Sequence, residues 1–560
     1  MPVTRIHILL WSLLSGVLWA CAWPAVGGLF PLAFIAWLPL LHAERLHELR
    51  TAGRRVAFMP YAFAAALVWN AACSWWLYAV SEPLATRLVS GTVPIVLNAL
   101  LMALPWWLRR MVRARFGPTV GGCAFVAFWL AFERLHHAWD LQWPWFSMGN
   151  VFGMAPWVVQ WYEVTGMAGG SLWVLLVNLL ADRVVVGWRS KRIVKGAILW
   201  LSTVLLVPLI ASLVRFGTYE ERGQAIEVVV VQPSIDPYTQ KFGGMAAAEQ
   251  LERMLALAEA AMTDSTHLVV LPETALQEAT TVDMSGGFLR LIGLWENDLN
   301  AAQSVQRLRR FQREHLGTAV LAGMSSDSLL PKGVHPSVSA RPLFRPDVPP
   351  GEQRWYMSYN AALFLPTNGK VGAYHKSKLV AGVELMPFER FLGPLGDLAL
   401  DLGGTTGSLG QQRERTVFDD PGAGLRIVPA ICYESVFGEH VAAHVRNGGE
   451  IIAIMTNDAW WGNTPGYRQH LTFASIRAIE NRRSVVRSAN TGISCAVDQR
   501  GVVHGRTGWW EATASRHVVR ANAEHTFFTR HGDLIGRMAV FASGACLLLC
   551  LVRWKRRAAN

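Results

Sequence analysis

Two patterns of apolar and polar positions divide this chain. Over its first 221 residues, long uncharged runs alternate with short basic loops. Residues 8–41 carry no charge and hold Pro24, Gly27 and Gly28 in their middle, which predicts two helices and a tight turn. Further apolar runs lie at about 57–79, 91–108, 119–135, 168–187, 194–214 and 534–553. Each is close to the ~20 residues a helix needs to cross the hydrocarbon core. The first run follows a single arginine and has no clear small-residue cleavage site, so it reads as an anchor rather than a removed signal. The prediction is a membrane domain at 1–221 with about seven transmembrane helices, and an eighth in 526–560 before a basic tail.

The pattern changes over 222–525. Short β-branched runs appear at 226–232, 267–273, 318–324, 360–366, 425–434, 451–458, 484–490 and 492–498. Helical stretches such as 246–263 and 467–482 lie between them. Continuous apolar strands of this kind suit a sheet buried on both faces, covered by helices, and the class is α/β. Two long outside stretches, 276–310 and 325–356, exceed ordinary loop lengths and are candidate lids.

Composition supports the membrane reading. The apolar fraction is 52% and the charged fraction 16%, against roughly 25% charged in ordinary globular proteins. The net charge of +12 is not one patch. Basic groups follow every second apolar run: Arg45, Arg50, Arg54 and Arg55, then Arg109 to Arg115, then Arg183 to Arg192, then Arg553 to Arg557. That alternation excludes nucleic acid as the partner and sets the orientation, with both termini cytoplasmic and 222–525 outside. Many of the 25 tryptophans are expected at the membrane interface. Segment 133–167, rich in Trp, Phe and Met, is expected to form part of a lipid-facing floor.

Five of the seven cysteines sit in apolar runs, and no CxxC occurs. Neither a metal nor a cofactor is expected, since His136–His137 lacks ligand-spaced partners and no phosphate-binding loop appears. Three polar residues close or closely follow strands: Glu273 in "VVLPE", Lys376 in "YHKSKLV" and Cys432 in "IVPAICYE". Taken singly they suit a turn, a solvated surface and a core position. Together they supply a base for a thiol proton, a cation for an oxyanion and a nucleophile.

The motifs "LPET", "YHKSKLV" and "ICYES", in this order, resemble the nitrilase or carbon–nitrogen hydrolase superfamily. With apolar helices before and after, the chain is similar to its membrane-bound branch, the bacterial apolipoprotein N-acyltransferases. Further matching pieces are "WPWFSMGN", "GGSLWVLLVN", "VQPSIDPYTQKF", "TNDAWWG", "RSANTGIS" and "TRHGD". The resemblance implies an αββα sandwich over 222–525 and a thioester acyl-enzyme. It also implies a phospholipid donor, a diacylglyceryl apolipoprotein acceptor, and a site on the periplasmic side of the bacterial inner membrane. It assigns Glu273 as general base, Lys376 as oxyanion stabiliser and Cys432 as nucleophile. Lys376 stands three residues before the Leu379–Val380 pair, as the family's lysine does. Glu384, Tyr433 and Glu434 take supporting roles, and the backbone amide of Tyr433 can face the oxyanion. "LVAGVE" replaces the family's usual Leu-Val-Pro-Phe-Gly-Glu, and Phe242 stands where a tryptophan is common. A membrane-tethered amidase and a non-catalytic scaffold are the alternative readings.

Overall fold

The computed structural model describes residues 3–559 apart from 52–55, 82, 191–193, 242–243, 285–286, 334–336, 338, 344–352 and 389–407. Phe242 and part of the second candidate lid therefore lie outside the described residues. Among those described, five helices are long and apolar enough to cross a membrane: Arg5–Ala22, Leu84–Leu135, Met167–Arg189, Lys195–Thr218 and Leu534–Arg553. The 52-residue helix Leu84–Leu135 is broken at Gly117, whose φ is 86°. Pro118 follows, so the two arms match the runs expected at 91–108 and 119–135.

The second half of the 8–41 run behaves differently from the expected helix. Phe30–Phe34 is a 3-10 turn, and the next helix, Leu38–Thr51, is only 14 residues long. Pro31 and Pro39 lack the N–H that would extend a helix backward through them, so each falls in a first turn. The polar end of Leu38–Thr51 is held by ion pairs, Glu44 with Arg109 and Arg113, and Arg45 with Asp182.

Trp75, Trp107, Trp188 and Trp200 are exposed and suit an interface, but Trp19, Trp37, Trp69, Trp106, Trp129 and Trp145 are fully buried. Trp19 stacks on Trp69 with ring centroids 4.4 Å apart. Large flat rings fill the space between helices here and form the core of the membrane half.

All eight expected strands are present. Gln224–Gln232, Thr266–Val270, Ala319–Leu329 and Trp355–Leu365 lie side by side in an eight-stranded sheet. Leu425–Ile431, Ile451–Thr456, Ser484–Ala489 and Cys495–Val497 belong to a six-stranded one. Strand alternation explains the continuous apolar runs. Val228, Val230, Leu268 and Val270 meet Ile427, Ile431 and Ile451 between the sheets. Val229, Val231, Val269 and Leu271 face the helices Ala247–Ala261 and Gln303–Glu314. On the other side Val428, Ala430, Ile452 and Ile454 pack on Gly438–Arg446 and Pro465–Asn481. The result is an αββα sandwich. One edge strand, Thr513–Ala521, was not anticipated from sequence. Its outward Arg516 and Arg520 give it a polar pattern, as an edge allows. The stretch 276–310 is also no open loop: it forms the hairpin Ala279–Met284/Gly287–Ile292 and then the start of a helix.

The wedge Pro144–Val158, a series of 3-10 turns, joins the two halves. Trp145 Nε1 donates to Gln469 Oε1 at 2.7 Å, and Gln469 Nε2 donates to the Cys73 carbonyl at 2.9 Å. Met167 N donates to Glu480 Oε1 at 2.9 Å. Segment 133–167 is thus largely buried between membrane helices and sandwich rather than lying as an open hairpin.

Candidate active site

Glu273, Lys376 and Cys432 come from strand ends in the two sheets and are all buried, at 6%, 1% and 8% exposure. Parallel strands ending at one edge deliver chain segments side by side, which suits a site built from distant sequence.

Glu273 is held through both oxygens. Oε1 accepts from Asn360 Nδ2 at 2.8 Å and from Lys376 Nζ at 3.2 Å, while Oε2 accepts from the Asn457 amide at 3.0 Å. Lys376 Nζ also donates to Glu384 Oε1 at 2.8 Å. Asn360 bonds Glu384 as well, at 2.9 Å, so one amide fixes the spacing of two carboxylates around one ammonium. Burial opposes the charge on Lys376, but Glu273, Glu384 and Cys432 outweigh it and raise its pKa above the ordinary value. The lysine is a fixed cation.

Cys432 follows the strand Leu425–Ile431 with φ of 49°, left-handed for a residue that is not glycine. Such a backbone costs on the order of 1–3 kcal/mol and persists where its surroundings hold it. Here the Cys432 carbonyl accepts from Ser435 Oγ at 2.8 Å and from His470 Nε2 at 3.1 Å. Asp458, His470 and Arg487, all buried, continue the network behind it. Thr456 Oγ1, on the neighbouring strand, donates to Asp458 Oδ1 at 3.2 Å. Burial pushes the thiol pKa well up and Glu273 adds to this, against the pull of Lys376. The sulfur is therefore held as a neutral thiol.

Each supporting residue has a place. The "LVAGVE" segment closes into a turn in which the Val380 carbonyl accepts from Glu384 N at 2.9 Å, with Gly382 at φ 82°. The turn brings Glu384 to Lys376. Tyr433 OH donates to the Gln142 carbonyl at 2.8 Å, tying the residue after the cysteine to the membrane half. Glu434 is fully buried, and Oε1 accepts from Tyr374 OH and Ser377 N, both at 2.7 Å. Its Oε2 accepts from Ile431 N at 2.9 Å. One carboxylate thus joins the chain after Lys376 to the chain before Cys432. Burial works against its charge, but bonds from His440, Ile431 and Tyr374 hold its pKa down to about 2.

Glu434→Gln is expected to be severe, because every neighbour of that carboxylate is a donor and an amide NH2 must face one of them. Leaving a buried donor without its acceptor costs about 1–3 kcal/mol. The depressed pKa means the stabilisation is full above the ordinary value of 4.5 and is lost as pH falls through about 2. Denaturation midpoints of wild type and variant, followed from neutral pH downward, should differ most above 4.5 and converge toward pH 2. A constant gap across that range would contradict the assignment.

Several residues of the site escaped the sequence reading. Asn360 opens the "NAALFLP" run but carries no signal of its own there. Lys241, 4% exposed, donates to the Glu273 carbonyl at 2.8 Å, and burial pushes its pKa down to about 7 against the field of Glu273. Lys378 donates to Gln142 Oε1 at 2.9 Å and to the His137 carbonyl at 3.1 Å. The long polar side chain of Lys378 has found partners only because the membrane half docks beside it.

Residues 228–526 match the carbon–nitrogen hydrolase family, and residues 15–180 match the apolipoprotein N-acyltransferase N-terminal domain. The chain is similar to the apolipoprotein N-acyltransferase of Chlorobaculum tepidum, at 28% identity over 97% of this chain and 96% of that one. That of Geobacter metallireducens is 27% identical over 97% and 94% of the two chains. Among solved structures, a nitrilase-superfamily amidase of Nesterenkonia AN1 aligns over 56% of this chain and 97% of its own, at 16% identity and a TM-score of 0.35.

Proposed function

We propose, from the premise that the chain belongs to the carbon–nitrogen hydrolase family, that it is a membrane acyltransferase acting on lipoproteins. The acyl chain comes from a phospholipid. The acceptor is the α-amine of a diacylglyceryl-cysteine at the N-terminus of an apolipoprotein. One observation carries this reading: the buried Glu273–Lys376–Cys432 group is joined to the membrane half through Tyr433 and Gln142. A nucleophile fixed against membrane helices suits substrates that both carry acyl chains.

Catalysis proceeds in two halves. Glu273 takes the Cys432 thiol proton as the sulfur attacks the phospholipid ester carbonyl. Lys376 and the Tyr433 amide stabilise the oxyanion. Tyr433 lies in the first turn of the 3-10 helix Cys432–Val436, where leading N–H groups have no partner within the helix. The lysophospholipid alkoxide leaves with the proton from Glu273, and a thioester remains. The acceptor amine then attacks, Glu273 takes its proton, and the cysteine sulfur departs and is reprotonated by Glu273. Glu384 holds Lys376 in position throughout. The alternating basic loops support a catalytic half outside the cytoplasmic membrane, on the periplasmic side, with both termini inside.

Purified protein given phospholipid alone is expected to stop after about one acylation per Cys432, as covalent catalysis without its second substrate should. A diacylated peptide with a free N-terminal cysteine amine should restart turnover, and an N-acetylated one should not. Sealed spheroplasts should modify the same peptide added from outside. Steady fatty-acid release without peptide would instead point to a tethered hydrolase, and reaction only after lysis would reverse the orientation.

A further inference from the structure

A cleft of about 690 Å³ lies on the face of the eight-stranded sheet that points away from the second sheet. It sits between the helices Ala247–Ala261 and Gln303–Glu314, beside the chain that leaves Glu273. Its volume falls in the range of ligand-binding clefts, and the triad does not line it.

Three of its polar atoms are buried without a partner: Gln277 Oε1, Ser304 Oγ and Arg307 Nη1. Gln277 is 7% exposed and Ser304 8%. Buried polar atoms of this kind normally have a partner, so a gap in a cleft calls for one from a ligand. The rest of each side chain is already committed. Gln277 Nε2 donates to the Thr274 carbonyl at 2.9 Å. Arg307 forms a two-pronged pair with Glu252, at 2.6 and 2.9 Å. Glu278 Oε2 accepts from the Ser304 amide at 2.9 Å.

What remains unpaired is one acceptor, one donor and one hydroxyl that can serve as either. A phosphodiester offers only acceptors and would leave Gln277 Oε1 unanswered. A peptide group offers both an N–H and a C=O. The cleft is also rigidly linked to the reaction centre. Gln277 is the fourth residue after Glu273, and between them Leu276 N donates to the Gly323 carbonyl while its own carbonyl accepts from Ser325 N, both at 3.0 Å.

We infer that this cleft takes the polypeptide of the acceptor, the residues that follow its lipidated cysteine. The inference rests on the transfer reaction proposed above. The acyl chains of the acceptor stay with the membrane half, and its polypeptide has to leave the site on the other side. The cleft lies on the sandwich face, next to the catalytic glutamate. Recognition is of main-chain groups, which suits an enzyme whose acceptors share a lipidated cysteine and differ in sequence.

The test compares two diacylglyceryl-cysteinyl peptides, one with two residues after the cysteine and one with ten. Wild type is expected to favour the longer by about tenfold in kcat/KM, the size of effect that one or two hydrogen bonds supply. Ala248→Trp and Ala301→Trp each place a ring in the cleft from an exposed position, and should remove most of that preference through KM. Crosslinking from a photoreactive residue in the longer peptide should reach Gln303–Glu314 in wild type and fade in both variants. An equal kcat/KM for the two lengths in wild type, or an unchanged ratio in both variants, overturns the cleft assignment while leaving the transfer intact. Amide product from neither peptide with wild type overturns the transfer reading, and the cleft assignment with it.

Discussion

Cys432→Ser is expected to yield a folded, membrane-inserted protein that forms no acyl-enzyme, with turnover down on the order of 10,000-fold, as for loss of a covalent nucleophile. The backbone elbow at Cys432 is held through its carbonyl by Ser435 and His470, and a serine keeps those contacts. The change falls on acidity. Even the thiol is pushed up by burial and by Glu273, and a hydroxyl in the same place is far harder to ionise. In wild type, mass spectrometry after incubation with phospholipid should find one acyl group, labile to hydroxylamine, on the peptide that holds Cys432. The alternative thiol is Cys495, fully buried in the strand Cys495–Val497, with its pKa pushed up to about 11 by burial. An adduct on Cys495 would refute the mechanism.

Lys376→Ala carries the second large effect. The buried ammonium stands between Glu273 and Glu384. Its removal leaves two carboxylates facing one another across Asn360, and breaking a buried pair costs about 3–5 kcal/mol. Loss of an oxyanion donor slows chemistry by about 100- to 1,000-fold besides. Single-turnover acylation and the thermal midpoint should therefore both fall sharply. Lys378→Ala makes an instructive contrast. Lys378 lies over the Phe437 ring at 4.9 Å and bonds the segment 137–142. The expected loss is about 1–2 kcal/mol of stability, with acylation within about tenfold of wild type. Equal, small effects of the two substitutions on acylation would show that Lys376 is not at the reaction centre.

The sequence by itself determined the elements and the chemistry-bearing strand ends. Runs of alternating depth such as Val228 to Val231 must be buried on both faces, because successive side chains point opposite ways. Glu273 and Cys432 were legible because each interrupts an apolar strand with a polar group whose burial demands partners. The alternation of basic and apolar segments was equally local, a matter of what each stretch can bury.

Only the tertiary structure decided which groups answer one another. Asn360, Asn457 and Lys241 act on Glu273 across 87, 184 and 32 residues of chain. No period or spacing records such pairings, since they arise from strand order and register. The buried tryptophans and the partners of Lys378 depend on packing for the same reason. An indole or an ammonium suits an interface or a surface until another element covers it, and which element does so is a property of packing. Pro31 and Pro39 show the converse, since a local rule ended an expected helix that hydropathy alone had extended. Apolar pattern, strand-end chemistry and proline breaks are properties of neighbouring residues, whereas the charge balance around Lys376 exists only once two sheets meet.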